Sequence, residues 1–176
     1  MCQFFPLIIL TNILILKRDL KTCLDKYKLQ GGLSDLYHGF ENSSKYYIQA
    51  NATLMLGKIF NDNHSLLLYS DYSLYHMLHI CHNSISIDTF LNDAINYLRK
   101  YDYKNNTSYY DTLYSYLLNN CSIIETSRSL FIHRNTLIYR INKIIELTNI
   151  DLKNPTERLH LLLSYKISIY IDSIKA

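Results

Sequence analysis

Apolar positions along the chain change spacing several times, and each change predicts an element. Residues 6–12 (PLIILTN) are a short run of branched side chains, and in residues 18–27 Leu20, Cys23, Leu24 and Tyr27 share one helical face. The two stretches predict a strand followed by a helix. Gly31 and Gly32 break that helix, a short second strand is expected over residues 29–34, and Tyr47, Ala50, Leu54 and Ile59 repeat at helical spacing in residues 46–59. A third apolar run at residues 66–69 predicts another strand. Residues 73–81 and 89–100 are each long enough for a helix, the second ending in the turn-like KYDYKNNTS.

In the C-terminal third, start signals and apolar spacing agree. Tyr110, Leu113, Tyr114, Leu117 and Leu118 form one stripe along a helix stopped by Asn119 and Asn120. Ser122 and Glu125 have the spacing of a capping box, in which hydroxyl and carboxylate each take the other residue's amide. They open a helix carrying Ile123, Ile124 and Leu130 that runs to about Phe131. After a break at residues 131–134, Leu137, Ile141 and Ile144 mark the inner face of the next helix, with Asn135, Tyr139, Asn142 and Lys143 on its polar side. Asn154, Pro155, Thr156 and Glu157 read as a cap, a first-turn proline and an N-terminal acid. They precede a helix with Leu159, Leu162, Leu163, Ile167, Tyr170 and Ile174 inside. The prediction is four short helices at close spacing.

Composition narrows the class. A chain of 176 residues that is 48% apolar and 19% charged matches a folded globular protein and excludes collagen-like, disordered and highly charged classes. Its 17 tyrosines, alongside abundant isoleucine, asparagine and lysine, are read as a base-composition bias and carry no function here. Net charge is only +3, but Arg128, Arg134, Arg140 and Arg158 all fall in the last third, where an anionic partner would be met. The four cysteines form no CxxC pair and no dense framework, so reduced thiols and a cytoplasmic location are expected. Residues 4–16 are too short to span a membrane and lack the cationic start of a signal peptide, so no membrane association is expected.

A capped helix, a tight turn and a second helix with one apolar and one basic, amide-rich face is what a helix-turn-helix requires. The first helix braces, and the second places its N-terminal residues against base edges in the major groove. Leu130, Ile132 and Leu137 can form the small core that fixes the interhelical angle. The side-chain types suit base reading, since arginine pairs with guanine, asparagine with adenine, and threonine or tyrosine with phosphate or a thymine methyl. From periodicity alone, a helical bundle with a solvated polar face is the commoner outcome.

The string IETSRSLFIHRNTLIYRINKIIELTNIDLKNPTERLHLLL changes that weighting. It resembles the C-terminal DNA-binding domain of PucR-type (CdaR-like) bacterial transcriptional regulators. The family's L-x-I-H-R-N-T-L-x-Y-R run is matched from Leu130 to Arg140, its T-L-x-x-Y-L pattern by Thr112, Leu113, Tyr116 and Leu117, and its L-T-x-x-D-L segment by residues 147–152. The resemblance covers about residues 97–169, and its helix pair is similar to that of Fis-type proteins. Ser127 stands where the family commonly has alanine at a tight helix crossing, and is small enough for the packing to survive. Phe131 stands where many helix-turn-helix proteins have glycine. Upstream, GGLSDLYHGF followed by YYIQANATLMLG looks like the last part of the degenerate nucleotide-cyclase-like (GGDEF-like) domain of these regulators. In that reading residues 6–12 are the strand after the signature hairpin, residues 17–28 the next helix and residues 29–34 the next strand. No acidic metal-binding loop stands ahead of Pro6, so no cyclase activity and no cofactor are expected.

The resemblance implies a mainly α protein: a C-terminal helix-turn-helix bundle at residues 108–176, a helical linker at 88–107, and a partial α+β, truncated cyclase-like region at 1–87. It implies double-stranded DNA as partner, a homodimer, and a recognition helix at about 134–146. The DNA-binding candidates are His133, Arg134, Asn135, Thr136, Tyr139, Arg140 and Lys143. His133 either contacts DNA or caps its helix, and Asn135 or Thr136 can also cap. Arg140 either pairs with Glu125 or Glu146 or takes a phosphate; Lys143 and Arg128 reach the backbone at most. His76, His79 and His82 share one helical face but lack a fourth ligand, and are read as ordinary histidines. A rival function is a shortened chain that pairs with a full-length relative and modulates it without reading DNA. The residues name no effector and no operator.

Overall fold

The computed structural model describes residues 5–37, 39–41 and 43–175. It divides into two compact units, one running to Ile80 and the other starting at Cys81.

The first unit contains α1 (Phe5–Tyr27), β1 (Gly31–Leu33), α2 (Ser43–Ile59), β2 (Leu66–Leu68) and all but the last two residues of α3 (Tyr69–His82). β1 and β2 pair in parallel, with Gly31 opposite Leu66 and Leu33 opposite Leu68. A parallel pair needs a long crossover, and α2 supplies it. Ala52, Thr53, Leu56 and Gly57 are the buried side of α2, and Leu67 is the buried residue of β2. Gly32 is needed where strand and helix touch, because a Cβ there would lie 2.4 Å from the carbonyl oxygen of Ala50. The loop before β2 is tied by Asp62, which accepts from the Tyr72 hydroxyl at 2.5 Å and lies 2.6 Å from His64 Nδ1. Those hydrogen bonds hold the Asp62 carboxyl below its usual range, and burial beside Asp62 pushes the Tyr72 phenol up.

Residues 6–12 are not a strand. They form the first turns of α1, which continues unbroken into the amphipathic stretch at residues 18–27. A short apolar run cannot be assigned by periodicity alone. Here no glycine or turn separates it from the helix that follows, and Pro6 sits in the first turn, where its missing N–H costs nothing.

After the last two residues of α3, the second unit has a 3-10 turn (Ile87–Phe90). It continues through α4 (Asp93–Asn105), α5 (Tyr109–Leu118), α6 (Ile123–Ser129), α7 (Arg134–Thr148) and α8 (Pro155–Lys175). Ile95, Leu98, Leu113, Leu137, Ile144, Leu161 and Tyr165 are fully buried in one cluster drawn from α4, α5, α7 and α8. The segment 88–107 thus holds a helix whose Ala94, Ile95 and Leu98 belong to this core, and α4 runs on through the expected turn to Asn105. The Asn92 side chain accepts from the Ala94 amide at 2.9 Å and starts α4; Asn106, in the left-handed conformation at φ 53°, ends it. Tyr165 fills the centre. Its hydroxyl donates to the Tyr110 carbonyl at 2.8 Å, its ring packs on Tyr110 and Tyr114, and burial pushes its ionisation up.

α8 is long, at 21 residues; of its predicted inner face Ile167 and Tyr170 are buried, Leu162, Leu163 and Ile174 are half-buried, and only Leu159 points out. Leu161, Ser164, Tyr165, Ser168 and Ile171 are buried, whereas Leu159 is 67% exposed. The predicted face counted apolar residues alone. The true face also runs through Ser164 and Ser168, and the Ser164 hydroxyl donates to the His160 carbonyl at 2.8 Å.

Candidate nucleic-acid interface

The turn after α5 places Asn120 and Cys121 at φ 51° and 59° and delivers the chain to the Ser122 cap. The Ser122 hydroxyl accepts from the Glu125 amide at 3.3 Å, but the return half of the capping box is not made: Glu125 pairs with Arg128 at 3.2 Å, and the Ser122 amide donates to Asn119. α6 stops at Ser129. Ser127 is buried, and its hydroxyl donates to the Ile124 carbonyl at 3.0 Å, so serine meets no unpaired polar cost where alanine is usual. Leu130 and Ile132 pack against the cluster that contains Leu137, which is the small core the sequence proposes between the helices.

Phe131 occupies the turn at φ 54° with its ring 95% exposed. A left-handed backbone costs a side-chain-bearing residue ~1–2 kcal/mol, and glycine escapes that cost. Phe131→Gly is therefore expected to raise stability by about 1 kcal/mol, read as a higher urea midpoint at unchanged m-value. An unchanged or lower midpoint would show that the ring supports the fold.

His133 is the N-cap of α7: its Nδ1 accepts from the Asn135 amide at 3.2 Å, so neither Asn135 nor Thr136 fills that role. α7 then buries Leu137, Ile141 and Ile144 and leaves Arg134, Asn135, Thr136 and Tyr139 exposed. The first turn of α7 thus presents a guanidinium, a carboxamide and a hydroxyl outward from a helix fixed on its other side.

The two remaining cations of α7 are held differently. Lys143 is paired with Glu146 at 2.8 Å. Arg140 makes neither of the ion pairs considered from sequence. It is half-buried, and its Nη1 donates to the Thr112 hydroxyl of α5 at 3.1 Å. Thr136, Tyr139 and Arg140 also border a cleft of about 250 Å3 whose opposite wall is the turn from Asn106 to Tyr109. The sequence marks residues 100–108 as turn-like but carries no signal that the turn meets α7, because it reaches α7 only through packing of α4 and α5 on α7.

Among the described residues, no three His, Cys, Asp or Glu side chains converge as metal ligands. His76 instead shares a hydrogen bond with the Tyr69 hydroxyl at 3.1 Å, and the ring of His82 meets Tyr170 edge-on. Cys23, Cys81 and Cys121 are free thiols, and no described helix is long and apolar enough to cross a membrane.

Residues 109–167, which comprise α5, α6, α7 and most of α8, match the family model of the PucR C-terminal helix-turn-helix domain. The chain is similar to the proline-responsive transcriptional activator PutR of Bacillus subtilis (strain 168), with 30% identity over 133 residues, 75% of this chain and 32% of the relative. It is similar to the carbohydrate diacid regulator of Escherichia coli (strain K12), with 32% identity over 136 residues, 77% of this chain and 34% of the relative. The purine catabolism regulatory protein of Bacillus subtilis (strain 168) is 41% identical over 61 residues, 35% of this chain and 12% of the relative. The first two alignments are longer than the matched domain, so the likeness extends upstream of it. The chain spans about a third of the length of those two relatives. No solved structure matches the chain.

Proposed function

From the premise that residues 109–167 are a PucR-type C-terminal helix-turn-helix domain, we propose that the chain acts as a sequence-specific DNA-binding transcriptional regulator of the PucR/CdaR type. One observation carries the reading: the first turn of α7 exposes Arg134, Asn135 and Thr136 while Leu137, Ile141 and Ile144 lock the helix against the core. That is the arrangement major-groove reading needs. In this proposal Arg134 and Asn135 read base edges, while Thr136 and Tyr139 lie along the groove wall. His133 sets the helix start and approaches the backbone, Arg140 takes a phosphate, and Lys143, already paired with Glu146, contributes least.

The protein works in the cytoplasm without a catalytic step or a cofactor. Its DNA-binding domain comprises residues 108–176, and residues 1–87 correspond to part of a degenerate GGDEF-like domain. The parallel β1–β2 pair bridged by α2 supports that last reading. The functional unit is a homodimer, since one helix-turn-helix contacts few base pairs and useful affinity needs two half-sites about 10 bp apart.

The test selects duplexes from a randomised pool with the full chain and combines titration with light scattering at micromolar protein. The expected result is a dimer that enriches a two-fold-related sequence and binds it at least ~10^3-fold more tightly than random duplex. A chain that enriches nothing, yet associates with a longer relative, would be the non-DNA-binding modulator instead.

A further inference from the structure

We propose that the cleft between the α4–α5 turn and α7 is a seat for one backbone phosphate of bound DNA, with Arg140 as its cation. The turn at residues 106–109 then becomes a DNA-contacting element outside the helix pair. The inference rests on the DNA-binding reading above and adds to it a site and its ligand.

The first observation is the state of Arg140. Its guanidinium is half-buried, yet no described carboxylate pairs with it: Glu125 is taken by Arg128, Glu146 by Lys143 and Asp172 by Arg99. A partly desolvated guanidinium has five N–H donors in a planar fork suited to phosphate or carboxylate oxygens, and here one nitrogen is committed, to a neutral hydroxyl. The fork is therefore held in place and left for an anion.

The second observation is how it is held. The Thr112 hydroxyl accepts from Arg140 and donates to the Ser108 carbonyl at 2.6 Å. One hydroxyl thus ties the cation on α7 to the turn that forms the opposite wall. That wall and α7 face the cleft with the neutral hydrogen-bonding side chains of Asn106, Ser108, Thr136 and Tyr139.

The third observation removes a simpler explanation. The amides of Tyr109 and Tyr110 at the start of α5 are already taken by the Asp102 carboxylate, at 2.9 and 2.7 Å, and the Thr107 hydroxyl donates to it as well. The helix end is closed to an anion, so the seat depends on Arg140 and the hydroxyls. Asp102 is a positioning residue that shapes the turn while both its oxygens are engaged inward.

Position fits the ligand. Arg140 lies six residues beyond Arg134, about 9 Å along the helix axis, against a major groove ~12 Å wide. A helix entering with Arg134 at the bases brings Arg140 to the wall of the same groove, where the phosphates are.

Arg140→Gln, Arg140→Lys and Ser108→Asp are compared with the wild type on selected and random duplexes between about 50 and 200 mM salt. Losing one phosphate contact should reduce the slope of log K against log salt by ~0.9, a fivefold to tenfold weaker affinity near 0.1 M, equally on both duplexes. Arg140→Lys should keep most of the slope. Ser108→Asp should keep the melting temperature, since the Ser108 side chain makes no capping hydrogen bond that the change would remove, and still weaken DNA binding through charge. A wild type that binds DNA beside folded Arg140→Gln and Ser108→Asp variants with the wild-type slope would overturn the seat alone. A wild type that binds no duplex would overturn the DNA reading and the seat with it. Saturable binding of inorganic phosphate that vanishes in Arg140→Gln, with the DNA slope unchanged, would assign the cleft to a free anion and also overturn the proposal.

Discussion

Arg134→Ala together with Asn135→Ala is expected to collapse the preference for selected over random duplex while leaving the fold intact. Each lost bidentate base contact costs about 1–3 kcal/mol of discrimination, and two such positions together cost about 2–6 kcal/mol where they add. The fold should survive because both side chains are exposed and the cap that starts α7 is supplied by His133, not by Asn135. Alanine is also the better helix former at both positions, by a fraction of a kcal/mol, ~0.7 at most. Residual binding to random duplex should stay within a few-fold of wild type, since the remaining backbone contacts carry most non-specific affinity. Lys143→Ala is the contrasting control: its ammonium is engaged with Glu146, so any loss should be small and equal on all sequences. Quantitative titration of both duplexes reads the ratio directly. An unchanged ratio in the double variant would take α7 out of the groove.

The part of this site that the sequence disclosed is the part governed by local rules. The Ser122 start of α6, the stop at Asn119 and Asn120, and the inner face Leu137, Ile141 and Ile144 follow from capping chemistry and helical period. Each appears in the structure within a residue or two. Where competition between partners decides, local reading stops short. Glu125 can close a capping box or pair with Arg128, and it pairs; His133 can contact DNA or cap its helix, and its Nδ1 makes the cap. Spacing points Arg140 at acids on its own helix or the one before it, whereas its partner is Thr112, 28 residues earlier and reached only through tertiary packing. The strand expected at residues 6–12 fails for a different reason: branched apolar residues fit a helix or a strand, and continuity with residues 18–27 decides for the helix. In α8 the count of apolar residues finds Ile167 and Tyr170 but passes over the buried Ser164 and Ser168.

The second large effect is on stability. Leu137→Ala is expected to cost the C-terminal unit about 2–5 kcal/mol, the range for removing a buried leucine side chain and leaving part of a cavity. The high end of that range is favoured by location. Leu137 is 0% exposed and lies in the shared cluster with Leu113, Ile144 and Leu161, each also at 0%. Side chains from α5, α7 and α8 meet there, so the site cannot close by moving a single loop. Against a total of about 5–15 kcal/mol for a typical domain, the loss is a large share, and urea unfolding followed by circular dichroism should show a much lower midpoint at similar m-value. Leu137→Met, which nearly conserves volume, should cost less than ~1.5 kcal/mol. At low temperature the folded fraction of Leu137→Ala should still discriminate selected from random duplex if Arg134 and Asn135 read the bases as proposed, because both are exposed on α7 while Leu137 is buried. A Leu137→Ala loss below ~1 kcal/mol would mean that the core under α7 is loosely packed. The angle of α7 would then be set by the His133 turn and the Arg140–Thr112 contact, and the specificity of Leu137→Ala should match wild type at every temperature where it is folded.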